Sequence, residues 1–429
     1  MDGTVYAVID ANARKPGRHY FGLSARYVEW ELLRQGATLT DTAADADVVL
    51  ATVVSPQEYT CVPSALKANG IEPLAANRLR QTVVLGGYGM YSPRIFDPYI
   101  DYGCVGEGRR FIEALVQGGV AGLPSLANCY IPGSGREVTP DYEFPYDCPP
   151  TMGEDGIVHV YASRGCRKAC LFCQTGWCQP YSEHDPNAVS QTYAGLVRAG
   201  QRVNVVTNDA PALAAFGGIP KTEAFSASYS QLREIMRDGV GPLVGRVKSV
   251  RIGVESPSAR LRKCIGKPIP TDKLYTLTCD LLNAGIGVRW FLIAGLPGET
   301  DADWDELYDV VRRARHDIKK GALQLSFTAF VPDPAAPLCI APLTDDYYDR
   351  YQAFWKWFFE SDGYTRKIQL FKCSAPPGRL KKAMASMAAT EPELRRGWLD
   401  HDPPNWCIRY HHRDKIRQTY LAYAQSAGV

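Results

Sequence analysis

The sequence predicts an α/β protein made of two successive βα series followed by a small, mainly helical C-terminal region. Three observations carry this prediction. Short β-branched runs alternate with amphipathic stretches from residue 4 to about 120. The same alternation resumes from about 155 to 335, after an interval rich in Pro and Gly. The tail then changes to aromatic and basic character. With 429 residues the chain can form two or three domains, and 45% hydrophobic with 22% charged residues is ordinary globular composition. A formal net charge of +2 excludes a surface coated in positive potential for non-specific nucleic-acid binding. The start, MDGTVYAVIDANARK, has no basic flank leading into an apolar segment, and no run of 18 apolar residues occurs. A cytoplasmic location, no membrane partner and reduced thiols are therefore expected of its 13 cysteines.

The first series reads TVYAVID (strand), SARYVEWELLRQG (helix), ADVVLATVVS (strand), PSALKANG (helix) and QTVVLGGYG (strand). In the first helix Tyr27, Trp30, Leu32 and Leu33 recur at helical spacing, and Gly36 is placed to end it. This predicts a doubly wound domain over 1–121. Residues 122–154 lack any sustained period and read as a linker. The second series, 155–335, places strands at GIVHVYA, QRVNVVT, VKSVRIGVE, GVRWFLIAG and ALQLSFTAF, with helices at TDKLYTLTCDLLNAG and DADWDELYDVVRRARHDI. Ligands of such sheets bind at the carboxyl ends of the strands. Over 336–429, DDYYDRYQAFWKWFFESDG predicts an aromatic-rich helix, and beyond Arg366 basic residues outnumber acidic ones by roughly two to one.

The most specific stretch is YASRGCRKACLFCQTGWCQPY, 161–181, directly after the first strand of the second series. Cys166, Cys170 and Cys173 lie at spacings of four and three among Arg164, Arg167 and Lys168, whose charge favours thiolate over thiol. An iron–sulfur cube usually takes four thiolates, so three leave one iron open to a ligand. Zinc is the first rival, although no distant fourth ligand is obvious. Unliganded core cysteines are the other alternative, at odds with so polar a loop. Cys178, five residues on, would close the site if it reached the cluster, so a thiol role elsewhere or plain packing is expected of it.

A CxxxCxxC run after a strand that opens a βα series resembles the radical S-adenosylmethionine (SAM) superfamily. The resemblance implies a [4Fe-4S] cluster on Cys166, Cys170 and Cys173, with SAM on the fourth iron and an external electron donor such as a flavodoxin or ferredoxin. It also implies cleavage of SAM to a 5′-deoxyadenosyl radical. Phe172 matches the family position near the adenine. SVRIGVESPSARLRKCIGKPI is similar to the family's fourth barrel strand, which puts Glu255 and Lys267 against the SAM methionyl group and ribose. RWFLIAGLPGET resembles the fifth strand, with Arg289 as a carboxylate partner. Phe291 stands near a position that is acidic in several relatives. The glycine-rich motif of the second strand is altered to NVVTNDAPA, where Thr207, Asn208 and Asp209 stand.

QTGWCQPYSEHDP resembles the segment after the cysteines in radical SAM proteins with an N-terminal cobalamin-binding domain. ADVVLATVVS, QTVVLGGYG and IDYGCVGEGRRFIEALVQG are similar to that domain's later strands, paired glycines and terminal helix. About three quarters of the chain is thus covered. The fold implied is a Rossmann-like, cobalamin-binding-like domain followed by a radical SAM partial (β/α)6 barrel. Ser55, Gly86 and Gly87 are the residues expected against a cobalamin nucleotide tail; turn glycines without a ligand are the alternative. The domain's usual Asp-x-His-x-x-Gly stretch is replaced by VIDANARKPG, which has no histidine. Either cobalamin binds with its lower face unligated, or the domain is a scaffold without it.

The function implied is modification of an unactivated carbon, by methyl transfer through a corrinoid if cobalamin is bound. A second reading is cobalamin-independent radical chemistry on a nucleic acid or peptide. A third, of another class, is a non-catalytic iron–sulfur or zinc binding protein. A methylthiotransferase is disfavoured, since only Cys61 and Cys104 precede the linker. No catalytic acid or base can be named, and the substrate class, whether small molecule, peptide or nucleic acid, stays open. In the tail, RYHHRDKIRQ with Trp406, Tyr410 and Tyr420 is either a phosphate-and-base grip or a helix with a solvated basic face, and His411 and His412 are too isolated to be ligands.

Overall fold

The structure is a computed structural model, and it describes residues 3–11, 22–54, 61–143, 149–153, 156–207, 222–333, 336–340, 346–360, 366–371 and 373. Ser55, Asn208, Asp209 and the basic segment with His411 and His412 lie outside these residues.

The first series forms one six-stranded sheet. Its strands are β1 (Val5–Asp10), β2 (Thr38–Leu39), β3 (Val48–Thr52), β4 (Thr82–Gly86), β5 (Tyr102–Cys104) and β6 (Cys129–Tyr130), in the order β2-β1-β3-β4-β5-β6. The first five are parallel and β6 runs antiparallel to β5. The order reverses at β1 and β3, as in a doubly wound sheet, which puts a crevice at the carboxyl ends of those strands. Helices α1 (Leu23–Arg34) and α3 (Arg109–Gly118) pack Leu32, Phe111, Ile112 and Leu115 on one face, while α2 (Cys61–Ala68) packs Val62 and Leu66 on the other. β3 is buried along its whole length, as expected of a parallel strand covered on both sides.

Helix α1 ends where Gly36 takes a left-handed φ of 80°, as the sequence predicts. Its buried stripe differs from the prediction, however. Leu33 is 57% exposed, and Glu31 is fully buried. The carboxylate is tolerated inside because Arg34 (2.5 Å) and Arg109 (3.3 Å) neutralise it. The predicted linker is not a free connection. Its β6 extends the first sheet, Asp141 bridges to Gly106, and β7 (Thr151–Met152) pairs antiparallel with the next strand, β8 (Ile157–Tyr161).

The second series supplies β8, β9 (Ser163–Arg164), α4 (Thr175–Cys178), β10 (Ser182–Glu183), α5 (Pro186–Arg198), β11 (Arg202–Val206), β12 (Thr222–Ala227), α6 (Tyr229–Ile235), β13 (Val247–Glu255), α7 (Ala259–Cys264), α8 (Thr271–Asn283), β14 (Gly287–Ala294), α9 (Asp301–Asp317) and β15 (Leu323–Ala329). Then come α10 (Asp346–Glu360) and β16 (Ile368–Phe371). All five strands expected in this series form. β12, which the sequence reading lacks, is a sixth, followed by the Ser228/Gln231 capping box. Among the described residues these strands form two sheets rather than one, β11-β8-β7 and β12-β13-β14-β15-β16, with every pair from β12 to β16 parallel. The tail expected to be mainly helical therefore also contributes the edge strand β16. The short β9 and β10 form an antiparallel pair of their own.

Along β14 burial alternates strictly: Val288, Trp290, Leu292 and Ala294 pack under α8, α9 and α10, while Arg289, Phe291 and Ile293 face the other way. One face of the large sheet is thus a dry core and the other is open. No helix among the described residues is long and apolar enough to cross a membrane.

The turn after β14 holds Glu299, which accepts from the backbone N–H of Gly295 (3.1 Å) and from Trp304 Nε1 (3.0 Å). Burial pushes its carboxyl up to about 7, against the pull of those donors and of Arg350. The unfolded value is about 4.3. The folded state therefore holds a proton that the unfolded state has released between these values, so stability declines as pH rises from about 4 through 7. Glu299→Gln keeps an acceptor and removes the titration. In urea denaturation it is expected to match the parent near pH 4 and to exceed it by about 1–3 kcal/mol at pH 8; a parallel pH dependence in both proteins would contradict this.

Candidate cofactor site

The cysteine loop joins β9 to α4 and has little core of its own. Tight backbone approaches shape it. Gly165 has φ 65°, and a Cβ there would meet Pro180 O at 2.3 Å; a Cβ on Gly176 would meet Lys168 O at 2.0 Å. Trp177 Nε1 donates to Cys170 O (3.0 Å), the Lys168 N–H donates to Cys166 Sγ (3.4 Å), and the Leu171 N–H donates to Ile265 O (3.3 Å).

The structure brings the three predicted cysteines to a common space. Cys170 is buried, with Cys166 and Cys173 half-buried. Each of the latter raises the pKa of Cys170, and Cys166 also raises that of Cys173. Burial is the larger cause and pushes the Cys170 thiol up to about 11, with Lys267 pulling it back down. Among the described residues no three Cys, His, Asp or Glu side chains converge on one metal ion.

Glu255 and Lys267 flank this space. Lys267 Nζ lies 2.5 Å from Glu255 Oε1, donates to Gly253 O (3.2 Å), and sits 5.6 Å from the centre of the Phe172 ring. Glu255 is the one non-glycine residue among those described with a left-handed φ, 68°, at an irregularity in the β13–β14 register between Gly253 and Glu255. Such backbone costs on the order of 1–3 kcal/mol and persists where surrounding structure imposes it. Here that structure includes Arg262, fully buried, whose guanidinium donates to Ser256 O (2.8 Å), Pro257 O (2.6 Å), Ile269 O (2.9 Å) and Thr271 Oγ1 (2.6 Å). It locks the segment between Glu255 and Lys267. Sequence reasoning missed this residue, because an arginine in an exposed-looking SARLRK run carries no sign of burial.

The remaining predicted residues fall elsewhere. Thr207 hydrogen-bonds Ser163 across 2.6 Å at the mouth of β8 and β11. Arg289 shares the open face with Glu255, yet Glu255 pairs with Leu292, three residues further along β14, about 10 Å away at 3.3 Å per residue. Its Nε instead donates to Gln324 Oε1 (2.7 Å). Phe291 pairs in register with Gly253. Cys178 turns away from the other three and packs in the first sheet's core with Met90 and Tyr91, as plain packing requires.

Gly86 and Gly87 line a cavity of about 80 Å³ between α1, α3 and the sheet, together with Ser24, Thr52, Gly106 and Glu107. Gly87 has φ 101°, and a Cβ there would meet Val53 O at 2.4 Å. Glu107, from the GEG stretch, ties this end of the sheet to the cysteine loop. Gln179 Nε2 donates to its Oε1 (3.0 Å), Arg164 lies 3.7 Å away, and the Tyr88 hydroxyl donates to Gln179. Burial raises the Glu107 pKa, and Arg164 opposes it.

Two glycines test how this loop and pair are held. Gly165→Ala drives a methyl into backbone at a left-handed φ and is expected to cost about 2–4 kcal/mol. Gly253→Ala meets only the movable side-chain tips of Glu255 (2.5 Å) and Lys267 (3.0 Å), and is expected to cost less, about 1–2 kcal/mol, as the pair shifts to make room. Chemical denaturation of both checks the contrast, and equal costs would contradict it.

No protein-family model matches the sequence, and neither does any curated protein. Solved structures do. The radical SAM methyltransferase TsrM from Kitasatospora setae, solved with tryptophan substrate and the SAM analogue aza-SAM bound, aligns over 99% of this chain and 100% of its own, with TM-score 0.54 and 13% identity. OxsB, a cobalamin-dependent SAM radical enzyme solved with aqua-cobalamin and SAM bound, aligns over 98% of this chain and 66% of its own, with TM-score 0.54 and 14% identity. At these identities the likeness is one of architecture, and the chain has the fold of these two radical SAM enzymes.

Proposed function

We propose that the chain is a radical SAM enzyme with a corrinoid-binding first domain, residues 1–121, joined by 122–154 to a partial (β/α)6 barrel, 155–335, and a substrate-facing region, 336–429. The observation that carries this is the meeting of Cys170, Phe172, Glu255 and Lys267, from three separated stretches, around one space at the carboxyl end of β13. The donor set fits the group: the three cysteines are near enough to perturb one another, and a charged pair lies beside them.

Cys166, Cys170 and Cys173 would hold a [4Fe-4S] cluster. When bound, that cluster supplies the electron that cleaves SAM to methionine and a 5′-deoxyadenosyl radical, and a corrinoid supplies a methyl carrier. The protein's own residues do the rest. The Cys170 and Cys173 thiols, which burial keeps protonated, must release protons on metal loading, and Lys267 favours that release at Cys170. Glu255, fixed by its strained backbone and by Lys267, offers a carboxylate to the SAM ammonium. Phe172 gives the adenine an apolar wall. Gly86, Gly87 and the cavity beside them receive part of a nucleotide tail. At about 80 Å³ the cavity is below the roughly 300–1,000 Å³ of a preformed ligand pocket, so α1 must part from the sheet to admit it.

Anaerobic reconstitution with iron and sulfide, followed by reduction with SAM present, is expected to release 5′-deoxyadenosine. Cys170→Ala loses iron and product together. Glu255→Gln keeps its iron and binds SAM about tenfold more weakly. A brown protein that releases no 5′-deoxyadenosine is the non-catalytic binder instead. The corrinoid is tested apart from this. A Cβ on Gly86 meets only Cys104 Cβ, at 3.9 Å, so the backbone there admits a side chain, and Gly86→Leu is chosen to occupy the cavity. Parent protein mixed with hydroxocobalamin and desalted is expected to retain corrinoid absorbance, and Gly86→Leu to lose it. Retention by neither protein returns the first domain to a scaffold role.

A further inference from the structure

The open face of the large sheet carries a second feature, well away from the cysteines. Arg251 on β13 and Arg289 on β14 are direct register partners, side by side on neighbouring strands about 4.8 Å apart. Like charges so placed repel, and a sheet gains nothing structural from the pairing. Together with Ser249, Gly287, Val288 and Gln324 they line a groove of about 190 Å³. Among the described residues no carboxylate lines it, and neither arginine is in an ion pair.

One member of the pair is also held in place, while Arg251 is exposed beside it. Arg289 donates through Nε to Gln324 Oε1 (2.7 Å), and Gln324 donates in turn to Gln369 Oε1 (3.1 Å). The Arg289 guanidinium lies 4.5 Å from the centre of the Phe371 ring. With Nε engaged and one face stacked, its terminal N–H groups are held for a partner. Gly287 leaves the neighbouring floor open, where a Cβ would meet nothing nearer than 3.5 Å.

We propose that Arg251 and Arg289 form an oxyanion subsite that anchors a carboxylate or phosphate group of a small substrate, leaving its other end toward Glu255 and the cysteine loop. The claim rests on the function proposed above for its orientation, and it moves Arg289 from SAM to substrate. Two guanidiniums suit a group with two or three oxygens, since each offers parallel N–H donors. The register separates the two levels of the face: Arg289 lies three residues below the partner of Glu255, so SAM beside the cysteines and an anion on the floor can be held together.

The test is binding of inorganic phosphate and of acetate to the reconstituted full chain at low ionic strength, followed by ligand NMR line broadening. The parent, the doubly substituted Arg251→Gln/Arg289→Gln protein and a control, Arg312→Gln, on the surface of α9, are compared. One anion or both are expected to bind the parent and the control. The double variant is expected to bind at least tenfold more weakly, and saturating SAM to leave anion binding unchanged. Preference for phosphate points to a phosphorylated substrate and preference for acetate to a carboxylic acid. No binding by the parent, equal binding by the double variant, or displacement of the anion by SAM each overturns the proposal. Release of 5′-deoxyadenosine by the parent is measured in parallel. Its failure tells against the radical SAM reading alone, because the anion titration reads out without it.

Discussion

A short polar loop that must present three thiols in fixed places cannot rely on its own packing, and everything around the cysteines answers that constraint. Residues 165–179 are clamped from two sides. Gln179 and Arg164 reach Glu107 at the end of the first sheet, with Tyr88 behind them. On the other side the Leu171 N–H donates to Ile265 O, and Leu171 O accepts from the Leu338 N–H. The clamp leaves Cys170 within electrostatic reach of Lys267 and Glu255.

The second support is itself strained. Glu255 adopts its left-handed backbone at the end of a nine-residue strand, and the segment that follows is pinned by a buried arginine with four hydrogen bonds. A buried guanidinium costs heavily unless its donors are matched, and these are. The outcome is a carboxylate and an ammonium held within hydrogen-bond distance of each other beside the thiols. That arrangement is preorganised for a charged ligand rather than assembled around one.

Much of this was legible beforehand, and the reasons are local. Strands β13, β14 and β15 were readable because β-branched runs bounded by Gly mark a buried parallel strand. The cysteine spacing stood out because no structural need explains three thiols among basic residues. What stayed hidden depends on partners distant in sequence. Glu31 looked like a surface residue until Arg109, 78 positions on, was brought to it. Arg262 and Glu107 are polar residues whose burial no periodicity announces. β12 was missed, although Gly217, Gly218 and Pro220 precede it, because TEAFSA holds only one β-branched residue, and the apposition of Arg251 and Arg289 is a matter of register between two strands, which no single segment encodes.

The account's central claim is that one iron of a three-cysteine cluster stays open and takes SAM beside Glu255 and Lys267. Electron–nuclear double resonance on the reduced, reconstituted protein with SAM labelled by ¹⁵N at its amino group tests it most directly. A nitrogen hyperfine coupling to the cluster is the result the account predicts. A reduced-cluster spectrum that labelled and unlabelled SAM leave unchanged would contradict it.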